Sequence, residues 1–179
     1  AELDRAEWFA RTAVRVAPDL PSTHKALGLV LSARRRFGDA MDAYRRSVEL
    51  DPDAWGALIN MGDVLDIQGQ VREAISYFEQ AYAAMGRVYE AQTLRVQPWY
   101  SELAVLLGDR HRSLGDPLAA ERWYRRALAH RPLHPTATVQ LAQVLSERGD
   151  VDAARALCRT LEQRVARAPE CPVSEEDAR

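Results

Sequence analysis

Small residues recur along this chain at a fixed distance. Gly28, Gly62, Gly108 and Ala142 are spaced by 34, 46 and 34 positions. Twelve residues after each stands an alanine, Ala40, Ala74, Ala120 and Ala154, with the same three spacings. Ala6 lies 34 before Ala40, and Pro18 and Pro52 are also 34 apart, with Pro132 closing a later copy. Three kinds of marker in one register mean that the chain is built from copies of one unit. Such a unit cannot bury its apolar face alone, so the copies must stack.

Each copy reads as two helices. The first carries apolar residues at helical spacing, as in Leu58, Met61, Gly62 and Leu65. It ends near a glycine: Gly69, Gly115 and Gly149, with Gly38 slightly later. The second helix opens most clearly at Gly115-Asp116-Pro117. Asp accepts the unpaired N–H groups of a first turn, and Pro suits the first helical position. An aromatic follows the alanine by four residues at Tyr44, Phe78 and Tyr124, and Cys158 takes that place in the last copy. Glycine inside a helix costs about 1 kcal/mol relative to alanine, so three in one register need a packing reason. The expectation is close approach of a second backbone, with Ala40, Ala74 and Ala120 as counterparts and the aromatic filling the space between hairpins.

These features resemble the tetratricopeptide repeat family, whose unit is a 34-residue helix pair. The matching residues are Leu27-Gly28, Met61-Gly62 and Leu107-Gly108, then Ala40/Tyr44, Ala74/Phe78 and Ala120/Tyr124, then Ala81, Ala127, Pro52 and Pro132. The family's Trp position departs from the pattern, holding His24, Leu58, Ala104 and Thr138. The resemblance implies an all-α fold, a right-handed superhelix of about four hairpins plus one leading helix. The expected repeat domain is 1–167, divided as 1–18 (partial), 21–51, 55–97, 98–131 and 135–167. Residues 168–179 form a polar tail, expected to be mobile.

The period of 46 places 12 extra residues between the second and third copies. With Gly86 where a closing proline would fall, and Leu94 and Val96 keeping an apolar pattern, the second helix of 55–97 is expected to run about three turns longer. The break is expected at Gln97-Pro98. The competing reading makes Tyr89, Trp99 and Tyr100 a projection that meets a partner.

The chain has 179 residues, 47% hydrophobic and 28% charged, with net charge −2. A near-neutral chain has no global attraction to phosphate or anionic lipid, so neither nucleic acid nor a membrane is the expected partner. Arg34-Arg35-Arg36, Arg45-Arg46 and Arg125-Arg126 are interrupted by Glu49, Glu79 and Glu121, and read as a solvated convex face. Arg155, Arg159 and Glu162 read as a solvated face of the last helix. Two cysteines in a chain this long make no disulfide framework, which favours a reducing compartment and a cytoplasmic location. The opening AELDRAEWFARTA reads as the middle of a helix, which suggests a piece of a longer protein.

No phosphate loop, nucleophile elbow or His-Glu-x-x-His is present, so the reading is non-enzymatic, without cofactor. His130 and His134 are four apart, a spacing that could hold a metal on one helix. Pro132 ends the helix between them, so no metal site is expected. His111 is expected to point into the packing.

By resemblance, the first helices line a concave groove that takes a peptide or protein segment. The groove positions give Lys25, Asn60, Asp63, Asp66, Glu102, Asp109, Arg112, Gln140, Gln143 and Glu147. Carboxylates outnumber cations there, which suits a basic segment. Some family members clamp a terminal carboxylate with Lys and Asn. Lys25 and Asn60 match, but Leu29, Glu102 and Leu106 break that clamp. Two classes of function remain: a protein-binding scaffold, or an accessory, substrate-recruiting region of a larger enzyme. For self-association, the candidate surfaces are the N-terminal face with Trp8 and Phe9 and the 82–100 insertion.

Overall fold

A computed structural model describes residues 1–92, 98–166 and 168–173. Among these it is all-α, in two compact units, Ala1–Thr93 and Leu94–Arg179. The first unit holds α1 (Glu2–Val16), α2 (Pro21–Ala33), α3 (Phe37–Leu50), α4 (Trp55–Ile67) and α5 (Val71–Gln92). In it α2 pairs with α3 and α4 with α5, while α1 lies on α2 and α3 on α4. The second holds α6 (Pro98–Ser113), α7 (Pro117–His130), α8 (Pro135–Glu147) and α9 (Val151–Arg164). Here α6 pairs with α7, α8 with α9, and α7 packs on α8. No helix among the described residues is long and apolar enough to cross a membrane.

The nearest neighbour of each recurrent glycine is the aromatic of its own hairpin. A methyl group built on Gly28 would lie 2.4 Å from the Tyr44 ring; Gly62 meets Phe78 and Gly108 meets Tyr124 at the same 2.4 Å. Each aromatic therefore packs against the glycine of its own hairpin, 16 residues back. The Tyr44 ring also shares a core cluster with Ala40 and with Ala57, Met61 and Val64 of the next hairpin, as expected of an aromatic between hairpins. The three rings are almost wholly buried, which repays the helix propensity lost at glycine. The fourth copy changes both members together. Ala142 faces the register of Cys158, a smaller side chain that leaves room for a methyl.

Hairpin turns follow from backbone sterics. Gly69, Gly115 and Gly149 have φ of +78°, +75° and +86°, a region open to glycine. The first hairpin places Arg35 there, at φ +59°. Gly38, the expected turn residue, instead lies inside α3. Asp116 caps α7 by accepting from the Ala119 N–H at 2.9 Å. His134 caps α8 and Asp150 caps α9.

The extended helix is present as far as the described residues reach. α5 has 22 residues against 14 in α3, about two further turns. Leu94, Val96 and Gln97 lie outside the described residues, as does the side chain of Tyr89. Trp99 is exposed, and Tyr100 packs edge-on against His130 with ring centroids 4.2 Å apart.

Two expectations for the C-terminal end are corrected. Cys158 and Cys171 form a disulfide, their Cα atoms 5.9 Å apart, so the cysteines no longer favour a reducing compartment. Residues 168–173 are not a loose tail, since Val173 is buried and Cys171 is tied to α9. Composition missed this because two cysteines make no framework but are enough for one staple.

Candidate functional site

The arginine clusters go into joints between helices. Glu7, buried in α1, accepts from Arg36 at 2.8 Å and lies 3.1 Å from Arg34 and 2.7 Å from Arg11. Arg34 also reaches Asp4 at 2.5 Å, and beside it the Asp4 carboxyl is held down at about 2. In the second unit, Glu121 is buried in α7 and takes Arg125 and Arg148. Glu7 to Arg34 and Glu121 to Arg148 are both separated by 27 residues, in the same register. The expected solvated face is thus partly a repeated ion joint, from one hairpin's second helix to the next hairpin's turn. A buried carboxylate with two or more guanidinium donors is compensated for leaving water. The remaining paired arginines also have local partners: Arg45 meets Asp42, Arg46 meets Glu49 at 3.0 Å, and Arg126 lies 4.4 Å over the Trp123 ring.

The groove residues expected from the sequence fall into two different settings. In the first unit, Lys25 and Asn60 are half-buried on α2 and α4, with the Lys25 stem against Gly56. Asp63 is exposed and Asp66 half-buried on α4. Leu29 is 47% exposed on α2 and Ile67 is 63% exposed on α4. The Tyr44 hydroxyl ionises late, at about 12, chiefly because it is buried and then because the Asp63 charge is near.

In the second unit the corresponding residues are bonded to one another. Arg112 donates through one nitrogen to Gln140 Oε1 at 2.8 Å and Gln143 Oε1 at 3.0 Å, and through another to Glu147 Oε1 at 2.6 Å. Asp109 accepts from the Tyr124 hydroxyl at 2.7 Å. That phenol is pushed up by burial first and by the Asp109 carboxylate second. Glu102 lies 3.0 Å from His134 Nε2 and 3.6 Å from Arg131. His134 is 2% exposed, and its Nδ1 accepts the Ala137 N–H at 3.3 Å. The proton therefore sits on Nε2 and is donated to Glu102. His134 is a helix cap, and His130, on α7, has its pKa lowered by burial. His111 is half-buried, 3.9 Å from Asp116. Sequence reasoning placed all ten groove residues on first helices. It missed that one of them, Arg112, binds three of the others.

Two family models, both described as tetratricopeptide repeat, match residues 56–132 and 105–169. Together they run from 56 to 169, well over half of the chain. The chain belongs to the tetratricopeptide repeat family. Curated relatives are much longer than it is. Cellulose synthase operon protein C of Xanthomonas axonopodis pv. citri is 27% identical over 159 residues, which is 87% of this chain and 10% of the relative. The protein of the same name from Pseudomonas fluorescens is 31% identical over 148 residues, 81% of this chain and 11% of the relative. The chain thus spans about a tenth of the curated relatives it matches. Among solved structures, Pseudomonas aeruginosa pilF superposes with TM-score 0.70 at 20% identity, covering 93% of this chain and 70% of that one. YrrB, described as a TPR protein with an unusual peptide-binding site, gives TM-score 0.67 at 21% identity, covering 87% and 74%. At these identities the likeness speaks for the tetratricopeptide fold, a scaffold suited to protein–protein interaction.

Proposed function

We propose that this tetratricopeptide chain acts by recognition, without chemistry of its own, and that its first unit takes a partner segment bearing both basic and apolar side chains. The observation that carries this is the α4 surface, where the exposed Ile67 follows the exposed Asp63 by one helical turn, with Leu29, in the register of Asp63 on α2, exposed as well. Exposed aliphatic side chains grouped with carboxylates mark a surface that gains from being covered. The carboxylates Asp63 and Asp66 would steer Lys or Arg to it, with Lys25 and Asn60 closing its edge. In the second unit a partner would compete with the bonds that Glu102, Asp109, Arg112, Gln140, Gln143 and Glu147 make. The test is an NMR titration of the whole chain with a peptide alternating Arg and Leu. Amide shifts concentrated on α2 and α4 support the reading; shifts absent there overturn it.

A second reading is favoured by the relatives' length. The chain would be one stretch of a longer protein, whose repeats recruit or position other proteins for a catalytic domain elsewhere. The parent protein's sequence, read from its source genome, decides between the two.

A further inference from the structure

The segment that follows α9 keeps the repeat register. Pro135-Thr136-Ala137-Thr138-Val139 opens α8, and 34 residues later the chain reads Pro169-Glu170-Cys171-Pro172-Val173. Proline, a small residue and valine recur at matching positions. In α8 this opening becomes a helix: Pro135 is at the helix start, Ala137 is fully buried, and the Thr138 N–H donates to the His134 carbonyl at 3.0 Å. In α4 the equivalent N–H, of Leu58, donates to the Ala54 carbonyl at 3.3 Å. The later copy puts Pro172 at that position. Proline has no N–H, so this first helical bond cannot form, and residues 168–173 are not helical.

The packing at this joint is also replaced. Ala57, in the register of Cys171, belongs to the same core cluster as Tyr44, in the register of Cys158. Where α4 lays an alanine beside an aromatic, the later segment lays Cys171 on Cys158 and bonds to it. The ion joint has no counterpart either, because the position of Glu7 and Glu121 holds Arg155 in α9. The α9 face with Arg155, Arg159 and Glu162 does not simply meet water. Those residues line a cleft of about 440 Å³ that Glu170, Cys171 and Val173 close from the other side.

We infer that residues 168–173 are a redox-dependent cap: a repeat opening that cannot become a helix, stapled by Cys158–Cys171 over the face that would otherwise receive the next helix. Closing the cap needs an oxidant of the disulfide class. One cysteine thiolate attacks that disulfide and expels one thiol, forming a mixed disulfide. The second cysteine thiolate then displaces the other thiol. Two electrons pass from the cysteines to the oxidant, and the two cysteine protons end on the released thiols. A dithiol reverses the steps and frees the segment. The cap is closed in an oxidising compartment and open in a reducing one.

Hydrogen exchange on the whole chain tests this, after glutathione disulfide and after dithiothreitol, beside a Cys171→Ser variant. Cys171 is chosen because Cys158 is buried in the hairpin. Reduction should speed exchange of α9 amides by about a hundredfold, the effect of opening a short disulfide loop, and leave α2 and α3 unchanged. Cys171→Ser should exchange like the reduced chain under both conditions. Equal α9 exchange in oxidised and reduced chain would overturn the inference. So would two alkylatable thiols persisting after glutathione disulfide.

Discussion

The two units, Ala1–Thr93 and Leu94–Arg179, use one packing scheme and finish it with different surfaces. In both, an aromatic seals a glycine and a buried glutamate holds arginines. The difference lies in first-helix residues on the solvent side. Where the first unit has Leu29 and Asp63, the second has Asp109 and Gln143; where the first has Ser32 and Asp66, the second has Arg112 and Ser146. A single long cation at that position gathers Gln140, Gln143 and Glu147. The first unit instead leaves aliphatic side chains in water. The lesson is that repeat register fixes the core, while one substitution on the solvent side changes the bonds that a surface makes.

The largest expected effect probes what the units share. Gly62→Ala and Gly108→Ala should each destabilise by ~2 kcal/mol, although alanine is the better helix former, because the added methyl meets a ring that has no room to move. Urea melts of both variants check this; a raised midpoint in either would break the ring-on-glycine account. The next effect sharpens the difference between units. Arg112→Ala should cost ~1 kcal/mol and should raise affinity for a basic peptide by freeing Glu147, as measured by calorimetry. Unchanged stability and affinity would mean that the Arg112 bonds do not hold the second surface. The smallest effect is at the turns. Arg35→Gly should stabilise by up to ~1 kcal/mol, since Arg35 occupies at φ +59° the place that glycine holds elsewhere. A thermal midpoint that stays level or falls would show that the side chain contributes more than its backbone costs.

Much of the fold could be read before any coordinates, because a helix pair stamped at intervals of 34 leaves Gly, Ala and Pro in register. The first helix of each pair was legible for the same reason. The partners of the glycines were not, since spacing names residues on a face without saying which side chain lies between. Asp109 shows the same limit. It reads as a groove acid, and only the fold brings the Tyr124 hydroxyl from the second helix to it. The Cys158–Cys171 staple is not legible from cysteine count, although Pro169 and Val173 continue the repeat register past residue 167.

The most direct test compares the two surfaces with one ligand. Fluorescence anisotropy would measure the Kd of a labelled peptide alternating Arg and Leu for the full chain, for Asp63→Asn and for Asp109→Asn. The account predicts roughly tenfold weaker binding for Asp63→Asn and less than about twofold change for Asp109→Asn. The reverse order, or equal losses, would contradict the claim that the first unit carries recognition.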